Sequence, residues 1–371
     1  MNVGWRAQSG GMPEKIPMGG GFWYGYGTSL PPIFGGIVKT YTGLWDDFIS
    51  TGNFVRAYKD ARKGKGYQAE VVEFREGWAL RLYTLRKDII AGRFHTSPYR
   101  SMIVYEPKKR MIYKLPFYPD RIVQHALVNV LAPIMERKLI ADTYACIPGR
   151  GQLSASQRCM DAVRRNRYCL KCDVRHFYPS IDQHILSGMY HRIIKDERFM
   201  AVVDDVIFSF PGGKNCPIGS YLSQWSGNFY LSELDSFVKR ELHVREYLRY
   251  CDDFLLFSDN KAFLHDCRRK IELFLRDRLR LEYSRADVFN IKQGVDFCGY
   301  RHFDNFVLLR KSTKLRQEHR IREIRAAMVD GDFDREECRA SLDSIAGWMK
   351  HAKTHRLREK YGLGALRDQV A

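Results

Sequence analysis

The sequence predicts an α+β fold with more than one subdomain. Three observations carry that prediction. Apolar residues recur at helical spacing over 44–92 and again from Asp120 onward. Short runs rich in aromatic and aliphatic residues at 101–116, 167–173, 247–258 and 296–309 read as strands, and a strongly basic helical segment follows Arg310. At 371 residues with 45% hydrophobic content, the chain exceeds one average domain and has enough apolar material for a real interior.

Residues 1–43, with GGGFWYGYG and PPIFGG, show little periodicity, and a flexible arm is expected. Leu44, Phe48, Phe54 and Ala57, then Trp78, Leu80, Leu82, Leu85 and Ile89, mark helices joined by a basic connector at 62–66. SMIVYEPKKRMIYKLP at 101–116 reads as two strands whose turn exposes Lys108, Lys109 and Arg110. Such a cationic tip suits a phosphate, although a solvated turn would look the same. Asp120 opens a helical pattern through Val123, Leu127, Val130, Leu131, Ile134 and Leu139 that runs on toward the glycines of PGRG. RYCLKCD is a strand ending in Asp173, and Ser180 or Asp182 caps the helix after it. A glycine-rich loop from Pro211 then feeds a long helix. The strand pair carrying Asp252 and Asp253 follows, and a helix near 261–280 leads to strands at 296–300 and 307–309. Beyond them Lys311, Lys314, Arg316, Arg320, Arg322 and Arg325 face only Glu318 and Glu323, and a further helix packs around Trp348.

Composition narrows the function classes. Sixty-one Lys plus Arg against 43 Asp plus Glu give a formal charge of +18, an attractive field for a polyanion, and 13% aromatic residues add stacking surface. Nucleic acid is the expected partner, the plain alternative being a protein that is simply basic. Nine scattered cysteines do not make a disulfide framework, and a reducing, cytoplasmic setting without a membrane span is expected. Cys169 and Cys172 have CxxC spacing but lie in a strand-like run with no second ligand pair, so no metal or redox site is expected there.

The chemistry centres on carboxylates. Asp252 and Asp253 stand side by side in the apolar run YLRYCDDFLLFS. Burying an unpaired carboxylate costs several kcal/mol, so the pair reaches water at a turn, carries a proton, or binds a cation. The bland reading is an Asp-Asp turn between two strands. If Asp173 converges on this pair in the fold, three carboxylates meet, and with no lysine evident nearby their repulsion calls for divalent cations. Oxygen-only ligands with room for water and phosphates favour Mg²⁺, with Mn²⁺ as a substitute. Two such ions would activate a 3′-hydroxyl and stabilise a pyrophosphate leaving group.

Asp173 with the following Val-Arg-His-Phe-Tyr178, then PIGSYLSQ at 217–224, then YCDD at 250–253, resembles the A, B and C motifs of reverse transcriptases in order and spacing. PKKRMI at 107–112, LPFYPDRIVQ at 115–124, YACIPGRG at 144–151 and DFCGY at 296–300 resemble flanking motifs of the bacterial and phage retroelement enzymes. The resemblance, covering roughly 44–357, implies a right-hand polymerase fold: fingers with N-terminal helices over 44–166, a palm with an antiparallel sheet over 167–309, and a basic helical thumb over 310–371. It implies Asp173, Asp252 and Asp253 as catalytic carboxylates and metal ligands, with the Val174 carbonyl as a main-chain ligand. Lys109, Arg110 and Lys114 would hold the triphosphate of the incoming dNTP. Tyr178 falls where these enzymes place a steric gate against the 2′-hydroxyl, the plain alternative being a core tyrosine. Gly219 would let backbone approach the nascent base pair. Arg150, Lys311, Lys314, Arg316 and Arg320 would contact the RNA template and DNA product. The lysine expected after the C motif as a general acid has no clear counterpart, Lys292 being the nearest.

In the B motif, Ile218 stands where most reverse transcriptases have Gln, and Gln224 follows Ser223 where Pro is usual. This form is closest to the enzymes of diversity-generating retroelements, which copy a template RNA with errors at adenines. Loss of a polar contact at Ile218 would loosen geometric selection of the nucleotide. Defence-associated (anti-phage) and unclassified enzymes acting with a structured non-coding RNA share much of the pattern, and an RNA-binding scaffold with a decayed site is the non-enzymatic alternative. An accessory protein or homo-oligomer is compatible with all of these. No RNase H or endonuclease module is visible after Tyr300.

Overall fold

The computed structural model describes residues 39–105, 110–331 and 333–370. Most of the arm expected over 1–43, together with Lys108 and Lys109 of the expected cationic turn, lies outside them.

Four helices come first: α1 (Leu44–Ile49), α2 (Thr51–Arg62), α3 (Ala69–Arg75) and α4 (Trp78–Ile90). Ser50 caps α2 by accepting from the Asn53 amide, and the buried Phe54, Ala57, Tyr58 and Ala61 recur at helical spacing. Strands β1 (Arg100–Val104) and β2 (Arg110–Lys114) form the antiparallel pair the sequence predicts. After a wide turn at Phe117–Arg121, α5 (Ile122–Glu136) is apolar on nearly every side and almost wholly buried. It stops at Glu136, short of the expected run toward PGRG. The segment after it is irregular because Arg150 folds back on it, its Nη1 donating to the carbonyls of Ile140, Ala141 and Thr143 at 2.8, 3.2 and 3.0 Å.

Then come α6 (Gln152–Arg165), β3 (Tyr168–Val174), α7 (Phe177–Ser180), α8 (Gln183–Ile193), α9 (Glu197–Phe208) and the long α10 (Tyr221–Arg240). Of the two caps proposed for α8, Asp182 is the one used, accepting from the amides of His184 and Ile185. Strands β4 (Glu246–Tyr250) and β5 (Asp253–Ser258), helix α11 (Lys261–Leu279) and β6 (Tyr283–Asn290) complete an antiparallel sheet of order β4-β5-β3-β6.

This sheet separates two cores by the alternation of its pleat. Leu170, Cys172, Phe254 and Leu256 face the helices α8, α10 and α11. Cys169, Leu248, Leu255 and Phe257 face α6 together with Val295 and Phe297. Cys169 and Cys172 therefore point into opposite cores and cannot chelate one ion, in agreement with the sequence reading.

A second sheet, β7 (Val295–Phe297), β8 (Tyr300–His302) and β9 (Val307–Leu309), replaces the single strand expected over 296–300. Cys298 and Gly299 both have positive φ, 48° and 82°, and turn the chain there. A side chain at Gly299 would meet the Trp348 ring at 2.6 Å. Glycine is thus required both by conformation and by the docking of the last helices. Those helices, α12 (Lys311–Asp330), α13 (Arg335–Lys350), α14 (His355–Lys360) and α15 (Leu363–Val370), gather a third core around Ile321, Leu342, Ile345 and Met349. No helix among the described residues is long and apolar enough to cross a membrane.

Candidate active site

β3 and β5 pair antiparallel with Asp173 directly opposite Asp253. Cross-strand partners share a face and lie roughly 4.5–5.5 Å apart. Asp252 occupies the tight turn between β4 and β5, where Cys251 takes a left-handed φ of 54°. The turn and the cluster of carboxylates, alternatives on sequence grounds, are therefore the same feature.

The electrostatics record the crowding. Burial, with Asp173 and Asp253 adding repulsion, pushes the Asp252 carboxyl from its ordinary 3.8 to about 6 against the pull of Arg110. Burial also raises the Asp253 carboxyl, opposed by Lys171. Asp173 accepts a hydrogen bond from the Ser284 hydroxyl of β6. The β3–β6 register shifts between Asp173, which pairs with Arg285, and Val174, which pairs with Tyr283, so that Ser284 is the extra residue of a β-bulge beside the carboxylates.

The sequence showed no cation close to these carboxylates, and the structure corrects this. Lys171 Nζ lies 3.2 Å from Asp253 Oδ2. The signal was available, because Lys171 precedes Asp173 by two residues and so shares its strand face. Lys292 is corrected in the opposite direction. It follows the end of β6 that pairs with Tyr168, five residues from Asp173 along β3, or roughly 17 Å by strand rise.

The turn bearing Asp252 is fastened from below by a group that sequence reading missed. Arg249 and Asp235 of α10 form an ion pair with neither side chain exposed, Arg249 Nε donating to Asp235 Oδ1 at 2.7 Å and Nη2 to Oδ2 at 2.6 Å. Arg249 Nη1 reaches both Asn228 Oδ1 and the carbonyl of Cys251 at 3.0 Å. Tyr247 and Thr143 donate to the same Asp235. Every strong acceptor and donor of this buried pair is thereby used, the condition under which such a pair is tolerated.

Tyr178 on α7 lies against α10, where a side chain at Gly227 would meet its ring at 3.1 Å. Burial, then Cys251, Cys146, Cys216 and Asp252 in turn, push its phenol well above the ordinary value. The ring is thus a neutral wall beside the Asp252 turn. Arg110 begins β2, and its charge acts on Asp252. Lys114 lies four residues on, roughly 13 Å away by strand rise, exposed and paired in register with Arg100. Lys109 lies outside the described residues.

The glycine-rich loop joins these parts. The Tyr113 amide of β2 donates to the Ile218 carbonyl at 3.0 Å, and a side chain at Gly219, φ 109°, would come within 2.9 Å of the Tyr113 carbonyl. The close approach that Gly219 permits in the structure is that of β2. Ser220 caps α10, and Gln124 of α5 accepts from the Ser220 hydroxyl and the Tyr221 amide, both at 2.9 Å. Ile218 is half-buried and Gln224 is exposed on the first turn of α10.

The expected nucleic-acid contacts divide. Arg150 gives its Nη1 to the carbonyls after α5, which fixes the position of its guanidinium. Arg320 reaches Glu337 and Ser341 on α13, and Lys314 lies 4.0 Å from Glu318, so the face is less one-sided than its sequence. Lys311 and Arg316 are exposed.

Residues 105–302, just over half of the chain, match the family model described as reverse transcriptase (RNA-dependent DNA polymerase). The chain belongs to the reverse transcriptase family. This reverse transcriptase is 25% identical over 275 residues to Protein YkfC of Escherichia coli (strain K12), covering 60% of the chain and 71% of that protein. It is 20% identical over 347 residues to the group II intron-encoded protein LtrA of Lactococcus lactis subsp. cremoris, covering 71% of the chain and 57% of LtrA. Over 127 residues it is 27% identical to the uncharacterized mitochondrial protein ymf11 of Marchantia polymorpha, covering 33% of the chain and 16% of that protein. The reverse transcriptase is thus an RNA-directed DNA polymerase by family, and its helices and antiparallel sheets agree with the α+β polymerase fold read from its sequence.

Proposed function

We propose that this reverse transcriptase copies an RNA template into DNA by two-metal-ion nucleotidyl transfer, with Asp173, Asp252 and Asp253 as its catalytic carboxylates. The observation that carries the reading is the register of Asp173 against Asp253 with Asp252 on the adjoining turn. Among the described residues no three His, Cys, Asp or Glu side chains are already gathered at metal-ligating geometry. The donor set nevertheless fits Mg²⁺: all ligands are oxygens, and Asp253 Oδ1 is buried without a hydrogen-bond partner. Asp173, the Val174 carbonyl, Asp252 and Asp253 would hold the ions, which when bound supply a nucleophilic 3′-oxygen and charge neutralisation for pyrophosphate.

The chain's own residues do the rest. Arg110 supplies a cation on the triphosphate side of Asp252. Arg249 holds the turn, and Tyr178 closes the floor where a ribose 2′-hydroxyl would project. In this reading β1 and β2 belong to the fingers, the β3–β6 sheet to the palm and α12–α15 to the thumb. Tyr178→Ala is expected to raise ribonucleotide incorporation on the order of tenfold or more relative to dNTP use, measured by single-nucleotide primer extension. Unchanged sugar selection would remove Tyr178 from the gate.

The reading extends to the role of the DNA. Ile218 places an apolar side chain on the loop between α9 and α10, beside β2, supporting error-prone synthesis of the kind found in diversity-generating retroelements. Ile218→Gln restores a hydrogen-bonding group worth roughly 0.5–1.5 kcal/mol and is expected to lower misincorporation opposite template adenine about three- to tenfold. Sequencing of the products decides, and an unchanged error spectrum would sink this extension while leaving the polymerase reading intact.

A further inference from the structure

The carboxylate end of the sheet carries a cation of its own. Lys171, Asp173 and Asp253 share one face through the strand alternation of β3 and its register with β5. The Lys171 side chain is 12% exposed, and its ammonium has two acceptors on different elements: Asp253 Oδ2 at 3.2 Å and the main-chain carbonyl of Asp296, on β7, at 2.5 Å. A lysine ammonium has three donors and no acceptor, so it can bridge two oxygens while neutralising only one charge. β7 opens the small sheet that runs into α12, and Arg310, immediately before α12, lies 3.8 Å from Asp296 Oδ1. One oxygen of Asp253 is thus tied to a rigid strand, and the other, Oδ1, is buried without a partner.

We infer that Lys171 is a positioning residue for catalysis: it anchors one oxygen of Asp253 to the β7 backbone, leaves the other for a divalent cation, and offsets carboxylate charge before that cation arrives. This rests on the proposed two-metal site. Lys171 has no role on the substrate itself. Its contribution passes through Asp253, whose orientation a mobile carboxylate would lose. A purely structural tie between β3 and β7 would use the same two contacts, but it predicts a different response to metal. Where Lys171 serves only the fold, its loss loosens the site and weakens cation binding and turnover together. Where Lys171 offsets the charge of Asp253, its loss leaves three carboxylates with one fewer neighbouring cation, so cation binding tightens while turnover falls.

The test uses full-length Lys171→Met and Lys171→Arg. Mn²⁺ binding is measured without nucleotide from the free-Mn²⁺ paramagnetic resonance signal, and kcat and KM for dNTP are measured on a primed RNA template. Lys171→Met is expected to bind Mn²⁺ about tenfold more tightly, from removal of a positive charge at contact distance. Its kcat falls about tenfold or more with KM for dNTP little changed. Lys171→Arg keeps the charge, so its Mn²⁺ affinity stays near that of the unsubstituted enzyme and part of kcat returns. If Lys171→Met does not fold, Lys171→Gln retains a donor for the Asp296 carbonyl and carries the same comparison. Mn²⁺ affinity unchanged or weakened in the neutral variant would overturn the inference. An unsubstituted protein that neither binds Mn²⁺ nor extends a primer would overturn the two-metal reading and this inference with it, a result distinct from failure of the Lys171 comparison alone.

Discussion

Asp252→Asn is expected to abolish primer extension and, at the same time, to make the metal-free protein more stable at neutral pH. The two effects have one cause. In the fold the Asp252 carboxyl is held at about 6, above its ordinary 3.8, first by burial and then by Asp173 and Asp253. A carboxyl whose folded pKa is raised binds its proton more tightly in the native state. Its stabilising contribution is therefore complete at low pH and is lost as pH rises from about 4 to about 6. Above that window the ionised group is a liability on the order of 2 kcal/mol, reduced by whatever solvent reaches the turn. Asparagine has nearly the same shape without the charge. Thermal unfolding in a chelator should show the variant more stable than the unsubstituted chain at pH 7.5, with the difference vanishing toward pH 4. Added Mg²⁺ should raise the melting temperature of the unsubstituted chain and leave the variant nearly unmoved. Full activity in Asp252→Asn would remove this carboxylate from the catalytic centre. Equal stability at pH 7.5 would show that the crowding of the three carboxylates is relieved without metal.

Arg249→Met is expected to cost about 3–5 kcal/mol of stability, because it leaves Asp235 charged and without its guanidinium partner in a site neither side chain shares with water. Tyr247 and Thr143 still donate to that carboxylate, which sets the loss below that of a wholly unpartnered ion. The double replacement Arg249→Met with Asp235→Leu should recover much of the stability, since a packed apolar pair can equal a buried ion pair. It should not recover polymerisation, because the Cys251 carbonyl remains without the Arg249 donor that holds the Asp252 turn. Urea unfolding and primer extension on the single and double variants separate these terms. Activity returning together with stability would show that Arg249 serves the fold alone. A single variant losing less than about 1 kcal/mol would contradict the burial argument itself.

Much of the fold was legible in the chain. Short runs of aromatic and aliphatic residues identified β3 and the β4–β5 hairpin, and the helical spacing of Val123, Leu127, Leu131 and Ile134 identified α5. The misplacements have local causes. Residues 296–300 read as one strand in the sequence because Cys298 gives no warning of a left-handed turn, which is enforced by Trp348 packed on Gly299. The apolar pattern of α5 continues to Leu139, but the helix ends at Glu136, because Arg150 takes up carbonyls beyond it and holds an irregular segment. Arg150 also shows that the partners of a basic residue are not read from its motif. Its charge was legible, but its commitment to three carbonyls was not.

By itself the sequence determined which groups the proposed chemistry draws on: three carboxylates on strand-like segments, an aromatic residue five positions after the first, a glycine loop between them, and a charge suited to nucleic acid. Residue types and spacing along one strand are local properties, and they survive without coordinates. Only the tertiary structure decided what stands beside each group. Lys171 against Asp253, Asp235 beneath Arg249, the β2 backbone against Gly219 and the distance of Lys292 from Asp173 all depend on the pairing of segments far apart in the chain. That pairing is set by the packing of two cores on opposite faces of one sheet, and no single segment contains it.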